Sequence, residues 1–148
     1  MADKDVRIGV EASSVFIEKA IPYGAVRFFM FNITDDATAL TTGDGKMTFV
    51  VPVFINGYNL VFAHAYCTTA SSSGTPEFQI ANVTDSQDML STKITIDANE
   101  YSSHTAATAP AINASYDDVA TGDRLRIDCD TAGTGAKGIT LILGFEKP

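Results

Sequence analysis

The chain has 148 residues, enough for one domain that buries roughly 68–70% of the surface its unfolded form exposes. Hydrophobic residues make up 45% and charged residues 19%, which excludes disorder as the whole answer. Ten Lys and Arg face eighteen Asp and Glu, and the formal net charge of -8 excludes the clustered basic surface that duplex nucleic acid or an anionic membrane needs.

Residues 1–24 differ from the rest. Val6-Arg7-Ile8-Gly9-Val10 and Val15-Phe16-Ile17 are short apolar pieces of weak periodicity, and Ile21-Pro22-Tyr23-Gly24 is a turn signal. They predict an arm over 1–24, with Val6, Ile8, Val10, Val15, Phe16, Ile17 and Tyr23 as assembly contacts, ahead of a domain over 25–148. No basic stretch leads an apolar one at the start, so no secretory signal is expected and synthesis in a cytoplasm is. The apolar runs Phe28–Phe31 and Phe49–Ile55 are too short to span a bilayer.

From Ala25 the chain reads as strand after strand. Val26–Ile33 is rich in Phe, which suits a pleated, buried surface. Thr41–Gly45 is a turn. Lys46–Ile55 is a strand interrupted by Pro52, which cannot donate to a ladder and so marks an edge or a bulge. Asn56-Gly57 predicts a hairpin turn. Tyr58–Cys67 sets Leu60, Phe62, His64 and Tyr66 against Val61, Ala63, Ala65 and Cys67; both sets are largely apolar, which predicts a central strand.

Ala70–Pro76 is a loop, and Glu77–Val83 a strand with Phe78 and Ile80 on one face. Thr84–Leu90 predicts one helical turn capped by Thr84 or Asp85. Thr92–Asp97 points Ile94 and Ile96 inward, and residues 102–111 define no long element. Arg124–Asp130 places Leu125, Ile127 and Cys129 inward, with Arg124, Arg126, Asp128 and Asp130 outward. Gly138–Glu146 puts Ile139, Leu141, Leu143 and Phe145 on one face. About eight short strands with Gly, Asn and Asp turns predict an all-β, jelly-roll-like antiparallel β-sandwich.

Few residues nominate chemistry. His64 reads as a core or inter-sheet histidine and His104 as a surface one. No Gly-x-Ser-x-Gly elbow and no zinc spacing is present, so no enzyme, catalytic residue or cofactor is expected. Cys67 and Cys129 read as buried thiols, with a disulfide left open. Asp123, Asp128 and Asp130 with Asp117 and Asp118 raise a calcium site, but Gly133 comes one residue late for a calcium loop and no Glu closes it. The stronger reading of these acids is a solvated face. The sequons at Asn32, Asn82 and Asn113 read as idle. Tyr58, Tyr101 and Tyr116 lie near predicted loops, where an aromatic ring can stack on a sugar.

One series of motifs carries a resemblance. It runs Leu40-Thr41-Thr42-Gly43-Asp44-Gly45-Lys46, Asn56-Gly57-Tyr58-Asn59-Leu60-Val61 and Ile80 to Asp97, then Val119 to Asp128 and Ala136 to Leu141. It resembles small jelly-roll structural proteins of tailed bacteriophages. The resemblance implies a non-enzymatic virion protein, made in the host cytoplasm, most simply a capsid decoration or cement protein. It implies a homotrimer whose partners are its own copies and the major capsid protein. The alternative it leaves is a receptor- or carbohydrate-binding module of a tail or head fibre, using loops 70–76 and 99–117 on a host surface glycan.

Overall fold

A computed structural model describes residues 25–148. The expected arm over 1–24, with all seven of its assembly contacts, lies outside the described residues. The strands are β1 (Arg27–Asn32), β2 (Gly43–Val50), β3 (Asn59–Tyr66), β4 (Glu77–Asn82), β5 (Gln87–Asp88), β6 (Leu90–Thr92), β7 (Ile94–Thr95), β8 (Ala111–Ile112), β9 (Arg124–Thr131) and β10 (Thr140–Glu146). The helical elements among the described residues are the single 3-10 turns Val53–Ile55 and Ser103–Thr105.

Two antiparallel sheets pack face to face. One runs β2-β9-β4-β5, with β7 also on β4; the other runs β1-β10-β3; β6 and β8 pair separately. The pairing is nested: the first described strand lies against the last, and the second against the last but one. Successive strands β1 to β4 alternate between the sheets, as in a jelly roll. The expected all-β sandwich is therefore the observed one.

The core follows from two clean period-two patterns. Leu125, Ile127 and Cys129 of β9 and Leu141, Leu143 and Phe145 of β10 all face inward and are essentially inaccessible. Phe78, Ile80, Ile94 and Ile96 meet them from the other strands as expected. Both cysteines are free thiols within this core, and burial pushes the Cys129 thiol up to about 11.

Several expectations change. Asn56-Gly57 does not close a hairpin: β2 and β3 lie in different sheets, and the 3-10 turn after Pro52 carries the chain across the sandwich. Pro52 ends the ladder at Val50, on an edge strand as its chemistry requires. Among the described residues, Tyr58–Cys67 is not central: β3 flanks β10, and its outer edge meets the bridges Asn59–Asp118 and Tyr66–Ser102.

The β3 alternation is also broken by a bulge. Leu60 pairs with Phe145 and Phe62 with Gly144, so Val61 is an extra residue. Leu60 thereby joins Ala63, Ala65 and Cys67 in the core, while Phe62, His64 and Tyr66 face outward. His64 is thus on an outer sheet face rather than between the sheets.

The predicted helical turn at Thr84–Leu90 is a β4–β5 hairpin instead. Asn82 Oδ1 accepts the backbone N–H groups of Thr84 and Asp85, a local turn that competes with helix. Finally, Asp128 faces away from the core yet is only 5% exposed, because Arg126 covers it and Gly45 N–H donates to it at 2.7 Å.

Candidate functional site

Three features stand apart from the core. The first is an apolar surface that wraps around the β1 edge. On the outer face of the three-stranded sheet, residues align in cross-strand rows: Phe28–Gly144–Phe62, Met30–Ile142–His64 and Asn32–Thr140–Tyr66. Phe28 is 60% exposed and Met30 70%. The rings of Phe28 and Phe62 meet edge to face at 5.4 Å across Gly144. A Cβ there would come within 2.9 Å of both side chains, so the row closes only over glycine.

On the inner side of the same strand, Phe29 and Phe31 reach towards β2 at the open side of the sandwich. Phe31 stacks on Phe49 at 4.5 Å, and Phe29 lies 6.0 Å from both Phe49 and Phe54. Phe54, Val53 and Val50 stay 57%, 75% and 59% exposed. Residues 28–31 and 47–55 contain no charged side chain, in a chain with 28 of them. Among the described residues, both strands bordering this opening lie at sheet edges.

The second feature is a histidine pair beside that surface. The His64 and His104 rings stack with centroids 3.8 Å apart. His64 Nδ1 lies 2.7 Å from Ser103 Oγ, and His104 Nε2 lies 2.8 Å from the Tyr66 hydroxyl. A serine beside a histidine is what a nucleophile needs. Here, however, Ser103 is 1% exposed and its Oγ also accepts Ala65 N–H, so the hydroxyl anchors the 102–105 loop to β3.

Burial, and then the neighbouring His104, hold the His64 imidazole below its usual range. As pH falls, the unfolded chain takes up this proton before the folded one, so stability present above about pH 6.5 is lost below it. Thermal melts of wild type are expected to fall more steeply between about pH 7 and 5 than those of His64→Gln. Parallel slopes for the two would remove His64 as the cause.

The third feature is an open cleft of about 220 Å³ lined by Asn82, Asp85, Gln87, Tyr116 and Asp118. It lies at the β5 edge of the larger sheet, whose other edge is β2. Asn82 is 1% exposed and fully engaged: its Nδ2 donates to Asp85 Oδ2 and Asp123 Oδ2, each at 3.0 Å. Asp123 Oδ2 also accepts Ala120 N–H. The buried position of Asn82 is incompatible with the glycan its sequon would carry.

The three tyrosines do not converge. Tyr58 lies in the loop before β3 and is partly buried against the core. Tyr101 is exposed at the Cys67 end of β3, where its carbonyl accepts Cys67 N–H. Tyr116 is exposed near the opposite end, two residues before the Asp118–Asn59 bridge.

The acidic residues disperse as well. Asp123 binds Asn82, Asp128 binds Arg126, and Asp130 pairs with Lys93. Among the described residues, no group of three or more His, Cys, Asp or Glu side chains is placed to hold a metal ion. No helix among them is long and apolar enough to cross a membrane. No family model matches this chain, and neither does any curated protein or solved structure.

Proposed function

We propose that this chain is a non-enzymatic structural protein of a tailed-bacteriophage virion, most simply a decoration protein that assembles as a homotrimer on the capsid shell. The observation that carries the reading is the uncharged surface around the β1 edge, with Phe28, Met30, Val50, Val53 and Phe54 all more than half exposed. Contiguous exposed apolar surface in an otherwise acidic domain suits burial against another protein. The motif resemblance to phage structural proteins supplies the setting. The net charge of -8 keeps an abundant surface protein soluble and off packaged DNA.

Two measurements test it. Light scattering of the full chain is expected to give a trimer, and sedimentation with purified phage heads is expected to carry the chain down. The triple variant Phe28→Ser, Met30→Ser, Phe54→Ser is expected to lose both. A wild-type chain that stays monomeric and leaves heads bare overturns the proposal.

A further inference from the structure

We infer that the cleft between the β4–β5 hairpin and the 113–118 loop binds a neutral sugar unit of a glycan, with Tyr116 as the stacking platform and Asp85, Gln87 and Asp118 as hydroxyl partners. This goes beyond shell docking and uses a different part of the domain. Either reading can fail alone.

The inference starts from what the cleft leaves unused. Among the described residues, the side chains of Gln87, Tyr116 and Asp118 have no hydrogen-bond partner, and Asp85 spends only Oδ2, on Asn82. The cleft therefore presents acceptors from two carboxylates, and both donors and acceptors from one amide and one phenol. A sugar hydroxyl donates and accepts at once, so a vicinal pair can satisfy both kinds of group. A lysine or arginine side chain has no acceptor and would leave the Gln87 and Tyr116 donors unused. An apolar ligand would bury the carboxylates without partners, at a large cost. An anion would meet two like charges.

Shape agrees with chemistry. The volume of about 220 Å³ lies below the roughly 300–1,000 Å³ of sites for drug-sized ligands, so it suits one ring rather than an extended molecule. Tyr116 lines the cleft and is 42% exposed, so its side chain is accessible to a ligand there.

The walls are also held in place. Asp85 is fixed by Asn82, which Asp123 fixes in turn. The turn ahead of Tyr116 is closed by Ser115 N–H to Asn113 Oδ1 and Tyr116 N–H to the Asn113 carbonyl. The backbone at Asp118 is bridged to Asn59. The backbone of both walls is thus set before a ligand arrives. The polar groups that share the cleft with Tyr116 come from the β4–β5 hairpin and from Asp118, not from loop 70–76.

The test is saturation-transfer NMR of the full chain with free glucose, galactose, mannose, N-acetylglucosamine and rhamnose, and with arginine methyl ester as a cationic probe. At least one sugar is expected to receive saturation. Tyr116→Ala and Asp118→Asn, both at exposed positions, are each expected to weaken its binding about tenfold or more while leaving the thermal melt unchanged. Three results would overturn the inference: no transfer to any of the sugars, transfer to the arginine ester alone, or sugar binding indifferent to both substitutions.

Discussion

Phe145→Ala is expected to lower the unfolding free energy by about 3–5 kcal/mol, the range for deleting a fully buried aromatic ring. Phe145 is inaccessible to solvent and sits on β10, the middle strand of the three-stranded sheet. It pairs with Arg27 on one side and with Leu60 on the other, beside the Val61 bulge. Its ring meets Phe29 edge-on at 5.8 Å. Three surroundings therefore lose contacts at once, and a bulged, tightly packed neighbour has little room to collapse into the void. Against a typical domain stability of about 5–15 kcal/mol, this is a large fraction. Urea unfolding would measure it as a lower midpoint at unchanged slope. A loss under about 1 kcal/mol would mean that the ring is not packed as described.

Phe28 makes the contrast. It is three-fifths exposed, and its one ring partner is Phe62 across Gly144. Phe28→Ser is therefore expected to cost no more than about 1 kcal/mol in the isolated domain. The two residues have the same side chain, and both pair across the β1–β10 ladder. They differ in strand, edge β1 against middle β10, and in the sheet face they occupy. A variant that keeps the fold and loses assembly separates surface kept for a partner from surface kept for the core.

That distinction was only partly legible in the sequence. β9 can be read directly because it alternates apolar with charged residues, and β10 because Leu141, Leu143 and Phe145 fall on one parity with Thr140 and Glu146 on the other. Arg27–Asn32 places Phe or Met at four successive positions, so its spacing cannot tell the core face from the exposed one. β3 was misread for a related reason: both of its parities are apolar, and a single extra residue at Val61 reverses them without leaving a mark in composition. The Asn56-Gly57 turn was recognised as a turn, but whether a turn closes a hairpin or crosses to another sheet depends on where its flanking strands pair. Tyr116 was visible as a loop aromatic. Its neighbours Asp85 and Gln87 were hidden because the 84–90 stretch also fits a capped helical turn. What decides against helix is the Asn82 side-chain oxygen Oδ1, which accepts the Thr84 and Asp85 N–H groups and turns the chain into a hairpin.

The same asparagine carries the second large effect. Asn82→Asp keeps the shape of the side chain and the Oδ1 acceptor for the hairpin turn. It replaces Nδ2, which now donates to both Asp85 Oδ2 and Asp123 Oδ2, with a carboxylate oxygen. Three carboxylates would then meet at a position 1% exposed to solvent, with no cation among their contacts. Leaving a charge buried without a partner costs about 3–5 kcal/mol, and the loss at neutral pH is expected in that range. The pH dependence follows from the chemistry of the trio. One proton placed among the three carboxyls restores a donor where Nδ2 had been, so the gap between variant and wild type should narrow as pH falls towards about 4. Asn82→Ala removes the Nδ2 donors, and the Oδ1 acceptor with them, without adding a charge, so its deficit should change far less with pH. Paired urea titrations of both variants at neutral and acidic pH check this. If the Asp and Ala variants track each other across the range, the cleft wall is held by packing rather than by the Asn82 amide, and Asp85 loses the support that fixes it for a ligand.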